Sequence, residues 1–178
     1  MSASSTHNED AMFDRLAQVA AQIGETPLAS ALKELLAEQR EILAALRASE
    51  EFKTQLIETS QDCIKVLDLA GRLLTMNAGG MRVLEICDFS TVQNAYWPEF
   101  WQGAYREASL QAIEAAKANQ VGRFVGFCPT FAGKPMWWDV VVSPIHDEAG
   151  NICQLLAVSR EVTEHLIHIP EPTRLNAI

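Results

Sequence analysis

The chain contains four cysteines and four histidines, side chains that can act as nucleophiles or metal ligands. The cysteines stand far apart, form no CxxC pair and have no companion histidine cluster. Zinc sites and disulfide frameworks have more regular spacings. We therefore predict no metal site, and we interpret the cysteines as small core residues of a reduced, cytoplasmic protein: Cys63, Cys87, Cys128 and Cys153.

Several carboxylates stand where strands end or turns begin in the patterns described below. None is paired with a histidine or cysteine in a way that suggests acid–base or nucleophilic catalysis. The glycines at positions 79–80 and 122–126 lack the Lys-Ser/Thr of a phosphate-binding loop. We therefore predict that the chain is not an enzyme. The carboxylates considered are Asp62, Asp68, Asp139, Asp147, Glu148 and Glu161.

Composition and charge exclude several classes of partner. The 178 residues include 14 basic and 23 acidic side chains, which gives a formal net charge of −9. Such a field repels phosphate, so neither nucleic acid nor an anionic membrane is an expected partner. No run reaches the roughly 18 to 20 apolar residues of a membrane span. The first ten residues are polar and acidic, unlike a signal peptide, and we expect them to be disordered.

Three consecutive strands are predicted near the C-terminus, at residues 123–128, 136–145 and 152–160, separated by segments rich in turn-forming residues. They should form an antiparallel meander. Because successive side chains of a strand point to opposite faces, alternation assigns one set to the inner face. That set is Phe124, Gly126, Cys128, Trp138, Val140, Val142, Leu155, Ala157 and Ser159.

The inner face combines small residues with the large indole of Trp138. Such a surface can leave room for a ligand, and we expect a pocket bounded by Phe124, Trp138, Val140 and Leu155. It can equally be filled by Trp138 itself, since burying an indole is strongly favourable. The opposite face is also partly apolar and needs a cover. It carries Val125, Phe127, Val141, Leu156 and Val158.

Two helices are predicted before the strands, at residues 11–23 and 27–59, and residues 11–57 are assigned to dimerisation. The second helix has a stripe of apolar residues at helical spacing. It could lie across its own domain, but we prefer a dimeric bundle or coiled coil. Leu36 and Leu43 widen the stripe, so either the first helix folds back on it or a partner packs there. The dimerisation residues are Leu28, Leu32, Leu35, Ile42 and Leu46.

The end of this helix is expected to couple it to the sheet. Phe52, Leu56 and Ile57 should turn to cover the outer face at Val141, Leu156 and Val158.

The remaining segments complete a recognisable order of elements. A hairpin is predicted at residues 62–76, followed by a short helix, an aromatic-rich irregular segment at 88–102, and a helix at 103–119. Hairpin, helices and three antiparallel strands, in this order, resemble the PAS fold.

Local motifs support that resemblance over residues 58–164. DLAGRLLTMN at 68–77 resembles the first hairpin of the family, and WDVVVSPI at 138–145 with HDEAG at 146–150 resembles its last two strands and their turn. SREVTE at 159–164 resembles the closing D-[IV]-T element, with Glu161 in place of Asp. The resemblance implies an α+β fold with a five-stranded antiparallel sheet of order 2-1-5-4-3. Helices would cover one face, and the preceding helix would drive dimerisation.

The resemblance implies a sensory role. We expect a bacterial signal-transduction protein of the two-component type that dimerises through its N-terminal helices. The tail at residues 165–178 contains two prolines that cannot continue a signalling helix. We therefore expect a stand-alone protein that passes a pocket or partner-binding event to a signalling partner in trans. An interaction adaptor with a filled core remains an alternative.

Cofactors of related sensors find little support in the residues. Flavin photoreceptors of the light-oxygen-voltage (LOV) type need a reactive cysteine in the helical middle, and residues 88–102 contain none. The Asn and Gln partners of that flavin would fall at Cys128, Trp138 and Ser159. Haem sensors of this fold ligate iron through a histidine, but none lies between His7 and His146. A non-covalent flavin stacked on Trp138, or a small metabolite, stays open.

Overall fold

The computed structural model describes residues 3–22 and 26–166. The chain divides into two compact units, Met1–Thr54 and Gln55–Ile178. Within the described residues, no helix is long and apolar enough to cross a membrane.

The first unit is a pair of helices. Helix α1 is Ala3–Gln22, and helix α2 is Pro27–Thr59, whose last turn belongs to the second unit. Thr26 caps α2, since its Oγ1 accepts a hydrogen bond from Ala29 N at 3.2 Å. The end predicted for the first helix, Ile23, lies outside the described residues.

Helix α1 folds back on α2, which decides between the alternatives left open by Leu36 and Leu43. Phe13 of α1 and Leu36 of α2 are buried, and Leu43 is half-buried. Asp14 accepts a hydrogen bond from Arg40 at 2.7 Å, and the Arg40 guanidinium lies 5.9 Å from the centre of the Phe13 ring. The side of α2 that carries Leu36 is therefore used within the chain.

Residues 3–10 are helical in the structure, which corrects the expected disorder of the first ten residues. Their polar composition gave no apolar periodicity to read. Extending a helix costs much less than nucleating one, so a polar segment can continue an amphipathic helix that is already packed.

The second unit contains the sheet. Its strands are β1 (Cys63–Leu67), β2 (Leu73–Met76), β3 (Gly122–Phe127), β4 (Trp137–His146) and β5 (Ile152–Glu161). Between β2 and β3 lie α3 (Ala78–Leu84), two 3₁₀ turns (Phe89–Thr91 and Trp97–Phe100) and α4 (Ala104–Lys117), and α5 (Thr163–Leu166) follows β5. All neighbouring strands pair antiparallel in the order β2-β1-β5-β4-β3. The predicted fold class and strand order are confirmed.

The register shows which residues share the inner face. Val140 of β4 lies opposite Phe124 on one side and Ser159 on the other, and Lys65 of β1 lies opposite Ala157. Helix α4 packs on the same face close to the sheet, because Gly122 has no side chain. A Cβ at Gly122 would come within 2.4 Å of the Ala112 backbone. The core lies between this face and the helices.

Candidate ligand cavity and helix junction

An apolar cavity of about 200 Å³ lies between the inner face of the sheet and the segments that connect β2 to β4. Its aromatic wall is held by ring contacts. Trp97 and Trp101 meet edge to face at 5.8 Å, and Phe100 meets Phe131 at 5.9 Å. The residues around it are Lys65, Met76, Leu84, Ile86, Trp97, Phe100, Trp101, Gln102, Cys128, Pro129, Thr130, Phe131, Trp138 and Ser159.

Lys65 is the charged side chain on this wall. It is 4% exposed, and its Nζ donates a hydrogen bond to Ser159 Oγ at 2.9 Å. The Nζ also lies 5.9 Å from the centre of the Trp97 ring. No carboxylate within residues 3–22 and 26–166 forms an ion pair with it, and the cavity wall contains no Asp or Glu. The ammonium group therefore contacts neutral groups.

Trp138 and Cys128 are fixed to the backbone around the cavity. Trp138 Nε1 donates to the Cys128 carbonyl at 2.8 Å, and the Cys128 thiol donates to the Phe100 carbonyl at 3.2 Å. Burial raises the pKa of the Cys128 thiol, and the Lys65 ammonium lowers it to a smaller extent. The thiol is therefore protonated at neutral pH and is not an activated nucleophile.

The loop between β3 and β4 supplies one side of the cavity. Phe131 N donates to the Leu84 carbonyl at 3.0 Å, and Lys134 N donates to Thr130 Oγ1 at 3.0 Å. The Thr130 hydroxyl in turn donates to the Glu85 carboxylate. These bonds tie the loop to the end of α3.

Three of the nine predicted pocket residues line this cavity: Cys128, Trp138 and Ser159. The other six, Phe124, Gly126, Val140, Val142, Leu155 and Ala157, lie in the packed core.

Trp101 explains the difference. A Cβ at Gly126 would lie 2.9 Å from the Trp101 ring, and Trp101 meets Phe124 edge to face at 4.9 Å. The space left by the small sheet residues is therefore filled by an indole from the connecting segment. Of the four residues expected to bound the pocket, Trp138 lines the cavity, whereas Phe124, Val140 and Leu155 are packed in the core.

Lys65 was missed as a site residue, although the sequence carries a signal for it. It alternates with Cys63 and Leu67, so it falls on the apolar face of its strand. A lysine on that face is unusual because a buried charge needs a partner.

A second cluster joins the end of α2 to the sheet. The Asn77 side chain is buried and makes four hydrogen bonds. Its Oδ1 accepts from Ile64 N and Gly80 N, each at 2.9 Å. Its Nδ2 donates to the carbonyls of Ile57 at 2.9 Å and Asp62 at 3.1 Å. We call this cluster the Asn77 junction.

Further contacts strengthen the Asn77 junction. The Glu58 carboxylate accepts from Ala78 N at 2.6 Å. At Gly79 a Cβ would lie 1.9 Å from the Ser60 carbonyl oxygen. The chain after α2 therefore passes directly against the start of α3. Met76, the residue before Asn77, lines the cavity.

The expected cover of the outer sheet face is wrong for Leu56 and Ile57, which belong to the same unit as the sheet. They are 56% and 47% exposed, because the Asn77 junction holds this turn of α2 against the start of α3. Phe52, in the first unit, is 61% exposed. The outer-face residues they were expected to meet are half-buried: Val141, Leu156 and Val158.

The predicted dimerisation stripe is exposed on α2. Leu28 is 72% exposed, three others are more than half exposed, and Leu32 is half-buried. The other three are Leu35, Ile42 and Leu46.

Comparison with known proteins gives the family. The PAS fold family profile matches residues 57–166, which is more than half of the chain. No curated protein matches the sequence. The chain belongs to the PAS fold family, whose members are generally sensory and signalling modules.

Solved structures show the same fold at low sequence identity. The PAS domain of a Colwellia psychrerythraea protein is 16% identical, with a TM-score of 0.57, covering 64% of this chain and 97% of that one. The PAS domain of an HTR-like protein from Haloarcula marismortui is 23% identical, with a TM-score of 0.57, covering 70% and 99%. A Rhodobacter sphaeroides LOV protein is 13% identical, with a TM-score of 0.53, covering 64% and 67%.

A non-covalent flavin does not fit the cavity. The cavity volume of about 200 Å³ is close to that of a cavity of about 150 Å³ that binds benzene, so as it stands it does not hold the three fused rings of an isoalloxazine.

Proposed function

We propose that this chain is a signal-transduction protein that binds a small molecule in the cavity and transmits the event through α2 to a partner in trans. The observation that supports the proposal is the short path from the cavity to the helix. Met76 lines the cavity, and the next residue, Asn77, holds the carbonyl of Ile57 in the last turns of α2.

The coupling works through alternative positions of the β2–α3 connection. A ligand that displaces Met76 shifts Asn77, and Asn77 has hydrogen bonds to α2, β1 and α3 at once. Such a connection has few intermediate arrangements, because the approach of Gly79 to Ser60 leaves no space between them. The ligand then favours the arrangement that it binds better, and α2 moves with it.

Helix α2 offers the surface for a homodimer. Its apolar stripe borders the side that packs on α1, but four of its five residues stay more than half exposed, so both surfaces can be used together. Leu35→Glu should abolish dimerisation, because it places a carboxylate in an apolar seam. Ala45→Glu adds the same charge at an exposed position off the stripe and should leave the mass unchanged. A dimeric mass for Leu35→Glu, or a monomeric wild type, measured by light scattering on the full chain, would contradict this assignment.

The test of sensing uses the tryptophans of the cavity wall and hydrogen exchange together. Small molecules are screened by the emission of Trp97, Trp101 and Trp138, and each binder is then examined by backbone hydrogen exchange. The amides of Ile64 and Gly80 donate to Asn77 and should change their exchange rates on binding. Binding that leaves both rates unchanged would separate the cavity from the helix and contradict the proposed transmission.

An interaction adaptor is the second candidate, and the outer sheet face supports it. This face carries half-buried apolar residues on β1, β4 and β5, such as Val66, Val141 and Val158. If no small molecule changes the tryptophan emission, the adaptor is the better description.

A further inference from the structure

We infer that the ligand of this cavity is a small organic monocarboxylate with an apolar, ring-sized body, whose carboxylate binds Lys65 and Ser159. The inference rests on the proposed function, since it names the class of molecule that the cavity binds. It is carried by the charge, the hydrogen-bond donors and the size of the cavity.

The first argument is charge. A buried ammonium group is stable only with a counter-charge or several strong acceptors, because removal from water costs far more than one neutral hydrogen bond returns. Lys65 has one such bond, to Ser159, and no carboxylate of the described residues reaches it. An anion in the cavity supplies the missing charge.

The second argument is that the buried polar groups of the wall with unused capacity are hydrogen-bond donors. Two of the three ammonium hydrogens of Lys65 remain available. Ser159 Oγ accepts from Lys65, and its own hydrogen has no acceptor among the residues described. The Trp101 Nε1 is buried and has no partner in the described part of the chain.

Two further polar side chains of the wall are already engaged, and the Gln102 amide, which is exposed, can donate or accept. The Thr130 hydroxyl donates to Glu85, and the Cys128 thiol donates to the Phe100 carbonyl. The group that fits the remaining donors is an acceptor with two oxygens, as in a carboxylate.

The third argument is size and polarity. Beyond Lys65 and Ser159 the wall is largely aromatic and aliphatic, and about 200 Å³ exceeds the roughly 150 Å³ that holds benzene. A ring or a short alkyl chain with one carboxylate fills such a space. Among the residues described, Lys65 is the one basic residue on the wall, so a phosphate dianion would leave one negative charge without a partner.

The experiment compares acids with their neutral amides. Binding of benzoate, phenylacetate and hexanoate, and of benzamide, phenylacetamide and hexanamide, is measured at pH 7 by calorimetry and tryptophan emission on the full chain. At least one acid should bind about tenfold or more tightly than its own amide, since a charge-assisted hydrogen bond is worth at least that ratio. Equal binding of every acid and its amide would overturn the inference.

Two variants of the cavity wall and one control variant test where the preference for acids arises. Lys65→Met keeps the length of the side chain and should reduce the acid-to-amide ratio to below about twofold. Lys117→Met removes the same charge from an exposed residue paired with Glu114 and should keep the wild-type ratio. Ser159→Ala should lower the ratio about threefold, and it provides a second readout if Lys65→Met does not fold. A ratio that persists in both Lys65→Met and Ser159→Ala would overturn the assignment to this pair.

The two proposals fail differently. Amides that bind as tightly as acids and change the emission would leave the cavity as a ligand site and refute the carboxylate. If neither acids, amides nor other small molecules bind, the sensing function itself fails, and this inference with it.

Discussion

Replacing Asn77 by alanine tests the junction on which the proposed transmission depends. The side chain is 3% exposed and its four hydrogen bonds all go to backbone groups, two of them to the carbonyls of Ile57 and Asp62. Each such bond contributes roughly 0.5–1.5 kcal/mol net, and its loss leaves a backbone group without a partner. Allowing for water at the partly exposed groups, we expect Asn77→Ala to lower the free energy of unfolding by about 3 kcal/mol.

Asn77→Ser divides this loss into two parts. Asn77 is the N-cap of α3, where its Oδ1 accepts from Gly80 N, and serine can also cap a helix. Serine is too short to reach Ile57. The serine variant should therefore recover about 1 kcal/mol of the free energy of unfolding relative to alanine. In both variants, the amides in the last turn of α2 should exchange faster than in the wild type.

The assay is urea denaturation followed by tryptophan fluorescence, because all four tryptophans lie between residues 97 and 138 and report on the second unit. Asn151→Ala is the control. Asn151 is exposed, its side chain makes one long contact of 3.4 Å to Asp147, and its loss should change stability by less than about 0.5 kcal/mol. A loss below about 1 kcal/mol for Asn77→Ala, or full recovery by serine, would show that the bonds to α2 contribute little.

Three further predictions concern packing, pH and surface charge. Gly122→Ala should lower the free energy of unfolding by about 1–3 kcal/mol in the same assay, because its Cβ would meet the Ala112 backbone at 2.4 Å; an unchanged midpoint would mean that α4 shifts freely. The pKa of Asp147 is lowered, chiefly because its carboxylate accepts a hydrogen bond from the backbone amide of Asn151. The stabilisation of the folded state by this carboxylate is therefore complete above the unfolded pKa of about 3.9, and it is lost as the pH falls through the lower pKa of the folded state. The melting temperature should accordingly fall less between pH 7 and pH 3 in Asp147→Asn than in the wild type, and an equal fall would refute the assignment. Arg123 Nη2 lies 2.8 Å from Asp139 Oδ2, and the Arg123 side chain is largely exposed. A double-mutant cycle should therefore give this ion pair a coupling energy of less than about 1 kcal/mol. A larger coupling energy would show that solvent does not screen the pair.

Strand alternation was enough to assign the inner and outer faces of the predicted strands from the sequence. Val140 and Val142 were placed inside and Val141 outside by position alone, and the structure buries the first two and leaves the third half-exposed. Alternation is informative here because a shift of one residue would bury Asp139. The end of α2 could not be read in this way, since Leu56 and Ile57 continue an apolar stripe while the Asn77 junction decides where that turn lies.

The position of the cavity could not be predicted, because it depends on where irregular segments place their aromatic rings. Trp101 follows a 3₁₀ turn, and neither periodicity nor alternation applies to such a segment. Its ring covers Gly126 and packs on Phe124, so the open space moves along the sheet towards Lys65 and Ser159. A small residue on a strand shows that space exists, but a side chain from a loop can fill it.

Ligand binding explains the presence of Lys65 on the inner face of the sheet better than the stability of the fold does. Exchange of a buried charge for an apolar side chain of similar volume is often neutral or stabilising, so packing of the ligand-free core gives no reason for a lysine at this position. The other inner-face residues of β1, Cys63 and Leu67, are fully buried and apolar, as a core strand requires. The exception lines the cavity, whose wall also includes a serine and an indole with unused donors. A departure from local folding rules at a cavity in the core is expected of a residue that is retained for its ligand.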